Sequence, residues 1–422
     1  MGSPQSHDFI HFVFATISEL GDKFVRSRVW CPRSVFVAVL LLTRARQRTS
    51  YRQMMNTFLT DTAALLGWEH RPTLSSLSEA RGKLGIDACR SILRALADRL
   101  ATTTPKRFRH PSGRRFIGID GTRLIAPRST DTRRRLNGMM YNRWFASHNP
   151  QALVVVALDL MRRLPLDFAL LAKGRGEREG AKHLAAHFRA GDVAVMDRGF
   201  PARWLLKDFL SAKIAVIVRM NATAAGSWPE VIEFLRSGKT EALVPVRIDR
   251  QQTVPMRLIR RNFRRGRPRR GQKAETMVIL TTLTAEEGFD RDTIIKLYAA
   301  RWGIETVFRE VKCEFDLERF HSRSVAGIQQ EIAAVLAWIG FASALQLVAE
   351  SKLPDGRRVY RTLCFSEATR VMEAIFAGGD VSAALDRAIE NVCYYHYAPK
   401  AGRSFPRERK APIGRFNVRF AK

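Results

Sequence analysis

The chain has 422 residues, 46% of them hydrophobic, and 71 Lys+Arg stand against 40 Asp+Glu for a formal net charge of +31. That apolar share suffices for packed cores, which excludes a wholly disordered protein, and the length suits two or three domains. The charge calls for a polyanion bound through phosphate neutralisation, and with neither an amphipathic basic helix nor a lipid-anchor motif it argues against a membrane-surface protein.

In chain order, the first eight residues, Met1 to Asp8, place no basic leader before an apolar stretch, so no signal peptide is expected. Residues 1–108 show helical periodicity, with helices expected at 9–24, 33–44, 51–59 and 77–102. Such an all-helical region suits a DNA-end-binding domain; a plain packing domain is the bland alternative. The apolar run 35–42 is too short to cross a bilayer. Residues 102–115 are basic and contain Pro105 and Pro111, as expected of a linker.

After Arg115 the pattern turns to strands. Strands are expected at 116–120 (extending toward 126), 152–160, 166–172, 193–197 and 214–220, with helices at 177–189 and 201–211. Three strands, helix, strand, helix, strand is the order of an α/β, ribonuclease-H-like mixed sheet flanked by helices, here a catalytic core beginning at 109–222. A β-rich, basic insertion follows at 223–284, with strand-like pieces at 243–248, 254–260 and 276–282. Its basic run includes Arg264, Arg265, Arg267, Arg269 and Arg270, which are expected to meet DNA if the loop is more than a solvated charge run. Residues 285–350 complete the core. The apolar stretch 332–349 contains Ser343 and Gln346 and is bounded by Glu331 and Glu350, so a buried core helix is expected rather than a membrane span. A helical, then basic, tail is expected at 351–422. The five cysteines are scattered without a CxxC pair, which argues against zinc and suits reduced thiols in a cytoplasmic compartment.

Three acids stand out. Asp120 ends the apolar run of Phe116-Ile-Gly-Ile-Asp120-Gly-Thr122, and Asp197 ends that of Val193-Ala-Val-Met-Asp197-Arg-Gly-Phe200. Open α/β sheets bind ligands at the carboxyl ends of their strands, and two such aspartates side by side raise each other's pKa unless a cation joins them. Glu305 lies in a helical stretch with Tyr298, Arg301 and Lys312, which share a stripe roughly 60° wide at about 100° per residue. Leu297, Ile304, Val307, Phe308 and Val311 fall on another arc suited to packing. Singly, each acid has a bland explanation. Asp120-Gly121 is turn chemistry, Asp197 could cap a helix, and Arg301–Glu305 is a common (i, i+4) pair.

Together these motifs resemble the DDE transposases of bacterial insertion sequences, in the branch with a Tyr-Arg-Glu-Lys signature spaced Y-x2-R-x3-E-x6-K. The signature is matched by Tyr298, Arg301, Glu305 and Lys312, and the resemblance runs from about 115 to 350. It takes in His148-Asn-Pro-Gln-Ala152 and Ser322-Arg-Ser324 as well. The resemblance implies that Asp120, Asp197 and Glu305 hold two Mg2+ or Mn2+ ions for cleavage and joining of DNA. It also implies that Tyr298, Arg301 and Lys312 hold phosphates. Expected partners are double-stranded DNA (terminal inverted repeats and target) and a second copy of the chain in a synaptic homodimer. A tryptophan used by some relatives to receive a flipped base corresponds here to Met277, with Trp228 as a substitute aromatic. The alternatives are a ribonuclease-H-like nuclease or recombinase, or an inactive transposase-derived DNA-binding protein.

Overall fold

A computed structural model describes residues 30, 32–44, 50–57, 73–136, 145–147, 149–223, 227–263, 275–376, 380–399 and 418–420. The expected helix at 9–24 and the arginines of 264–270 lie outside them.

Apolar β-branched runs set the sheet. The strands are β1 (Phe116–Ile125), β2 (Phe145–Ser147), β3 (Gln151–Asp159), β4 (Leu164–Leu171), β5 (Val193–Met196), β6 (Ala215–Met220), β7 (Glu241–Arg247), β8 (Thr253–Phe263) and β9 (Glu275–Thr281). All but β2 form one eight-stranded sheet in the order β4-β3-β1-β5-β6-β9-β8-β7. β1, β5 and β6 run parallel, and the other pairings are antiparallel. Every residue of β3 and β5 is buried, as befits strands covered on both faces. This mixed sheet flanked by helices is the ribonuclease-H-like fold.

The helices are α1 (Pro32–Leu42), α2 (Tyr51–Thr57), α3 (Leu74–Lys83), α4 (Ile86–Thr103), α5 (Thr130–Arg135), α6 (Glu177–Ala185), α7 (Arg203–Ser211), α8 (Pro229–Arg236), α9 (Arg291–Ala300), α10 (Trp302–Arg309), α11 (Val325–Lys352), α12 (Arg361–Phe376) and α13 (Val381–Tyr394). Side chains alternate across the strands, so two cores form. On one face Phe116, Val154, Val156, Val193 and Val195 pack with α1, α3, α4, α10 and α11. On the other Ile117, Ile119, Val155, Ala194 and Met196 pack with α6, α7 and α8. The apolar stretch around 332–349 is within α11, where Ala333 to Gly340 are all buried, as expected of a core helix.

The strands of the β-rich segment join the core sheet, with β9 paired to β6. Three expectations are corrected. The helix expected at 77–102 is two, because Leu84 is extended (ψ 95°) and Gly85 caps α4. The helix expected to run to 189 stops at Ala185. The stretch expected to be one helix through Lys312 is α9, a turn at Arg301, α10 and a π-helical turn over Glu310–Glu314. A π turn inserts residues into the 3.6-residue period, so the stripe computed for Lys312 no longer holds.

Buried ion pairs join the N-terminal helices to the core. Arg90 grips Asp167 of β4 with two bonds of 2.8 and 2.7 Å, and Arg94 adds a third at 3.0 Å. Arg81 donates to Gln330, the Gly327 carbonyl and Glu331 of α11 at 2.9, 3.1 and 3.1 Å.

Candidate active site

Strand pairing places the two aspartates. β1 and β5 are parallel neighbours with Ile119 opposite Met196, so Asp120, midway along β1, and Asp197, the residue just past β5, come side by side where β5 ends. Each is steadied locally: the Gly121 amide donates to Asp120 Oδ1 at 2.8 Å, and the Gly199 amide to Asp197 Oδ1 at 2.7 Å. The apolar face of α10 (Ile304, Val307 and Phe308, all buried) holds that helix on the sheet and leaves Glu305 half-exposed.

Arg301 ties the helix to the strand. Its Nη1 donates to Asp120 Oδ2 at 2.8 Å and its Nη2 to Glu305 Oε1 at 3.1 Å. The guanidinium is itself buried and lies 5.9 Å from the centre of the Tyr298 ring. Asp120, Arg301, Glu305 and Tyr298 are therefore one contiguous group, with Asp197 alongside. The three carboxylates do not yet close on a single point: a guanidinium spans Asp120 and Glu305. Among the described residues no three acidic, His or Cys side chains already form a metal-binding cluster. Lys312, half-buried, lies on the π turn.

Electrostatics say what the group lacks. Burial pushes the Asp120 carboxyl up to about 6; Arg301 and the Gly121 amide pull it back, while Asp197 and Glu177 push it further. Burial also raises Tyr298, against the opposing pull of Arg301. Arg301 is held above its ordinary value despite the opposing effect of its burial, chiefly by Tyr298, Asp120 and Glu305. A half-buried acid with acidic neighbours is short of positive charge, and its hard oxygen donors suit Mg2+ or Mn2+. The residues thus fit a divalent cation once Arg301 yields part of its hold.

The Asp120 shift predicts a pH effect. Between its ordinary value of 3.8 and about 6 the folded chain keeps a proton that the unfolded chain has lost. Stability should therefore fall as pH rises through that window, by about 3 kcal/mol from this group. Urea denaturation from pH 4 to 7 checks this: the decline should be shallower in Asp120→Asn, and saturating Mn2+ should offset it above pH 6.

One acid escaped the sequence. Glu177, in the first turn of α6, has its Cδ and Cγ each 2.7 Å from where a Gly121 side chain would begin. Its carboxyl is raised by burial and then by Asp197, with Arg123 opposing. In the sequence it reads as a first-turn acid favoured by the helix dipole. The available signal was topological, since β4 runs parallel to β1 and its helix starts from the same rim. Met277 is buried in β9, and half-buried Trp228 lies under the Arg203 guanidinium at 4.3 Å from its ring centre.

The family model described as the transposase DDE domain matches residues 111–339. The chain belongs to that DDE transposase family. The match spans β1, β5, α10 and the start of α11, and so includes all three acids. No curated protein matches the chain. Among solved structures it is similar to a piggyBac transposase in a synaptic complex with hairpin DNA. The identity is 11%, the alignment covers 96% of this chain and 85% of that one, and the TM-score is 0.41.

Proposed function

We propose that this DDE transposase cuts the ends of an insertion sequence and joins the freed 3′-hydroxyl to target DNA, in the branch with the Tyr-Arg-Glu-Lys signature. The observation carrying this is the register of β1 on β5, which sets Asp120 beside Asp197 while Arg301 links Asp120 to Glu305. Asp120, Asp197 and Glu305 would hold two Mg2+ or Mn2+ ions. When bound, these supply charge neutralisation at the phosphate and at the attacking and leaving oxygens of an in-line displacement. For the ions to be held there, Arg301 must turn from the carboxylates toward a DNA phosphate. Tyr298, beside Arg301, would orient the same phosphate, with Lys312 and the arginines at 264, 265, 267, 269 and 270 neutralising the flanking backbone. Residues 1–108 would bind the transposon end, and two copies would pair the ends in the bacterial cytoplasm.

The test uses the full chain, Mg2+ and duplexes carrying the inverted repeats that flank its gene. Nicked ends that reappear covalently joined to a second duplex are expected. Cleavage with no joining under any condition would instead make the protein a nuclease.

A further inference from the structure

Glu177 reaches the same rim from the opposite side of the sheet. α10, which carries Glu305, belongs to one apolar core, whereas α6 packs its Ala181 and Leu184 into the other. Gly121 makes room for the Glu177 side chain. That side chain lies over Gly121, where any Cβ would collide with it. A Cβ on Gly199 would stand 3.1 Å from Asp197 Oδ1 and 4.0 Å from Glu177 Oε2, so both oxygens border one small space. The neighbouring Arg178 donates instead to the Gly199 carbonyl at 2.9 Å, fixing the loop after Asp197 against α6. Glu177 is half-buried, and burial, the Asp197 charge and the opposing Arg123 charge, rather than a hydrogen bond, set its carboxylate's surroundings. A helix acid placed only for the dipole would sit in solvent at the first turn; this one is folded down onto the strand.

We infer that Glu177 is a fourth carboxylate of the cation site, binding a divalent ion from the α6 side together with Asp120 and Asp197. The inference rests on the proposed metal site of Asp120, Asp197 and Glu305. Hard divalent ions take six or more oxygen donors, and a ligand set drawn from both faces of the sheet leaves room for DNA oxygens at the open rim.

Calorimetric titration of Mn2+ alone into the DNA-free full-length chain tests it, with Asp197→Asn as the reference variant. Glu177→Gln keeps the size of the side chain and is expected to weaken Mn2+ binding about tenfold or more. Its affinity for duplex DNA in EDTA should not fall. Gly121→Ala retains every carboxylate but displaces the Glu177 side chain, and should give a deficit of the same order. The two changes together should be no worse than Glu177→Gln alone, since they remove one interaction. Wild-type Mn2+ affinity in Glu177→Gln, with binding lost in Asp197→Asn, would overturn the role of Glu177 while leaving the parent site intact. Wild-type affinity in Asp197→Asn as well would overturn both. If Glu177→Gln proves unstable, Gly121→Ala carries the decision alone: undiminished Mn2+ binding there overturns the inference.

Discussion

Asp120→Asn, Asp197→Asn and Glu305→Gln are each expected to reduce DNA strand cleavage by about a thousandfold or more, while duplex binding in EDTA persists. Each change keeps side-chain volume and removes one formal charge. Divalent cations at a phosphoryl-transfer site contribute several kcal/mol of transition-state stabilisation, and each 1.36 kcal/mol is tenfold in rate, so losing about 4 kcal/mol gives that factor. DNA affinity should survive because it comes from the excess of 71 cationic over 40 acidic residues. The three variants should also differ in stability. Asp120 is half-buried, with an elevated carboxyl pKa, so Asn there removes a charge the fold disfavours, although it also weakens the hold on Arg301. Glu305 is half-exposed, and its change should leave the melting temperature nearly unmoved. Gel assays of nicking and of mobility shift, run side by side, measure both halves. Equal nicking by Asp197→Asn and wild type would remove that residue from the reaction.

Glu331→Ala is expected to cost about 3–5 kcal/mol of folding stability, the loss typical of breaking a buried ion pair. Glu331, fully buried on α11, accepts the backbone amides of His321 and Ser322 at 2.9 Å each and the Arg81 guanidinium at 3.1 Å. His321 and Arg81 hold its carboxyl below the usual range despite burial. Without it, Arg81 remains buried with no acid to balance its charge, and two amides lose their acceptor. The segment released, 321–324, leads from the π turn into α11, so loosening it should reach the Glu305 helix. Glu331→Gln, which can still accept hydrogen bonds, should lose less. Urea unfolding monitored by circular dichroism reads both; a loss under 1 kcal/mol for Glu331→Ala would show that the pair contributes little.

The strands around the site were legible because burial on both faces demands unbroken apolar runs such as 152–158 and 193–196, bounded by polar or glycine punctuation. The acids were legible for the same reason: a carboxylate directly after such a run has no packing explanation. Arg301 was legible only in part. Its (i, i+4) spacing to Glu305 is visible along the helix, but the bond to Asp120 spans 181 positions. The π turn was hidden because the apolar positions Ile304, Val307, Phe308 and Val311 fit an α-helix as written. The pairing of β9 with β6 was hidden because strand partners follow from distant registry rather than local pattern. Glu177 combined both difficulties: a helix-start acid is ordinary in sequence, and only the crossing of α6 over Gly121 sets it apart.

The central claim is that Asp120 and Asp197 share a divalent cation at the rim of β1 and β5. Crystals of the full chain grown with Mn2+ and measured at the manganese absorption edge test it most directly. An anomalous peak within about 2.0–2.6 Å of oxygens from both aspartates is the predicted result, with Arg301 turned away from Asp120. Manganese absent from that rim at saturating concentration, with Arg301 still bonded to Asp120 and Glu305, would contradict it.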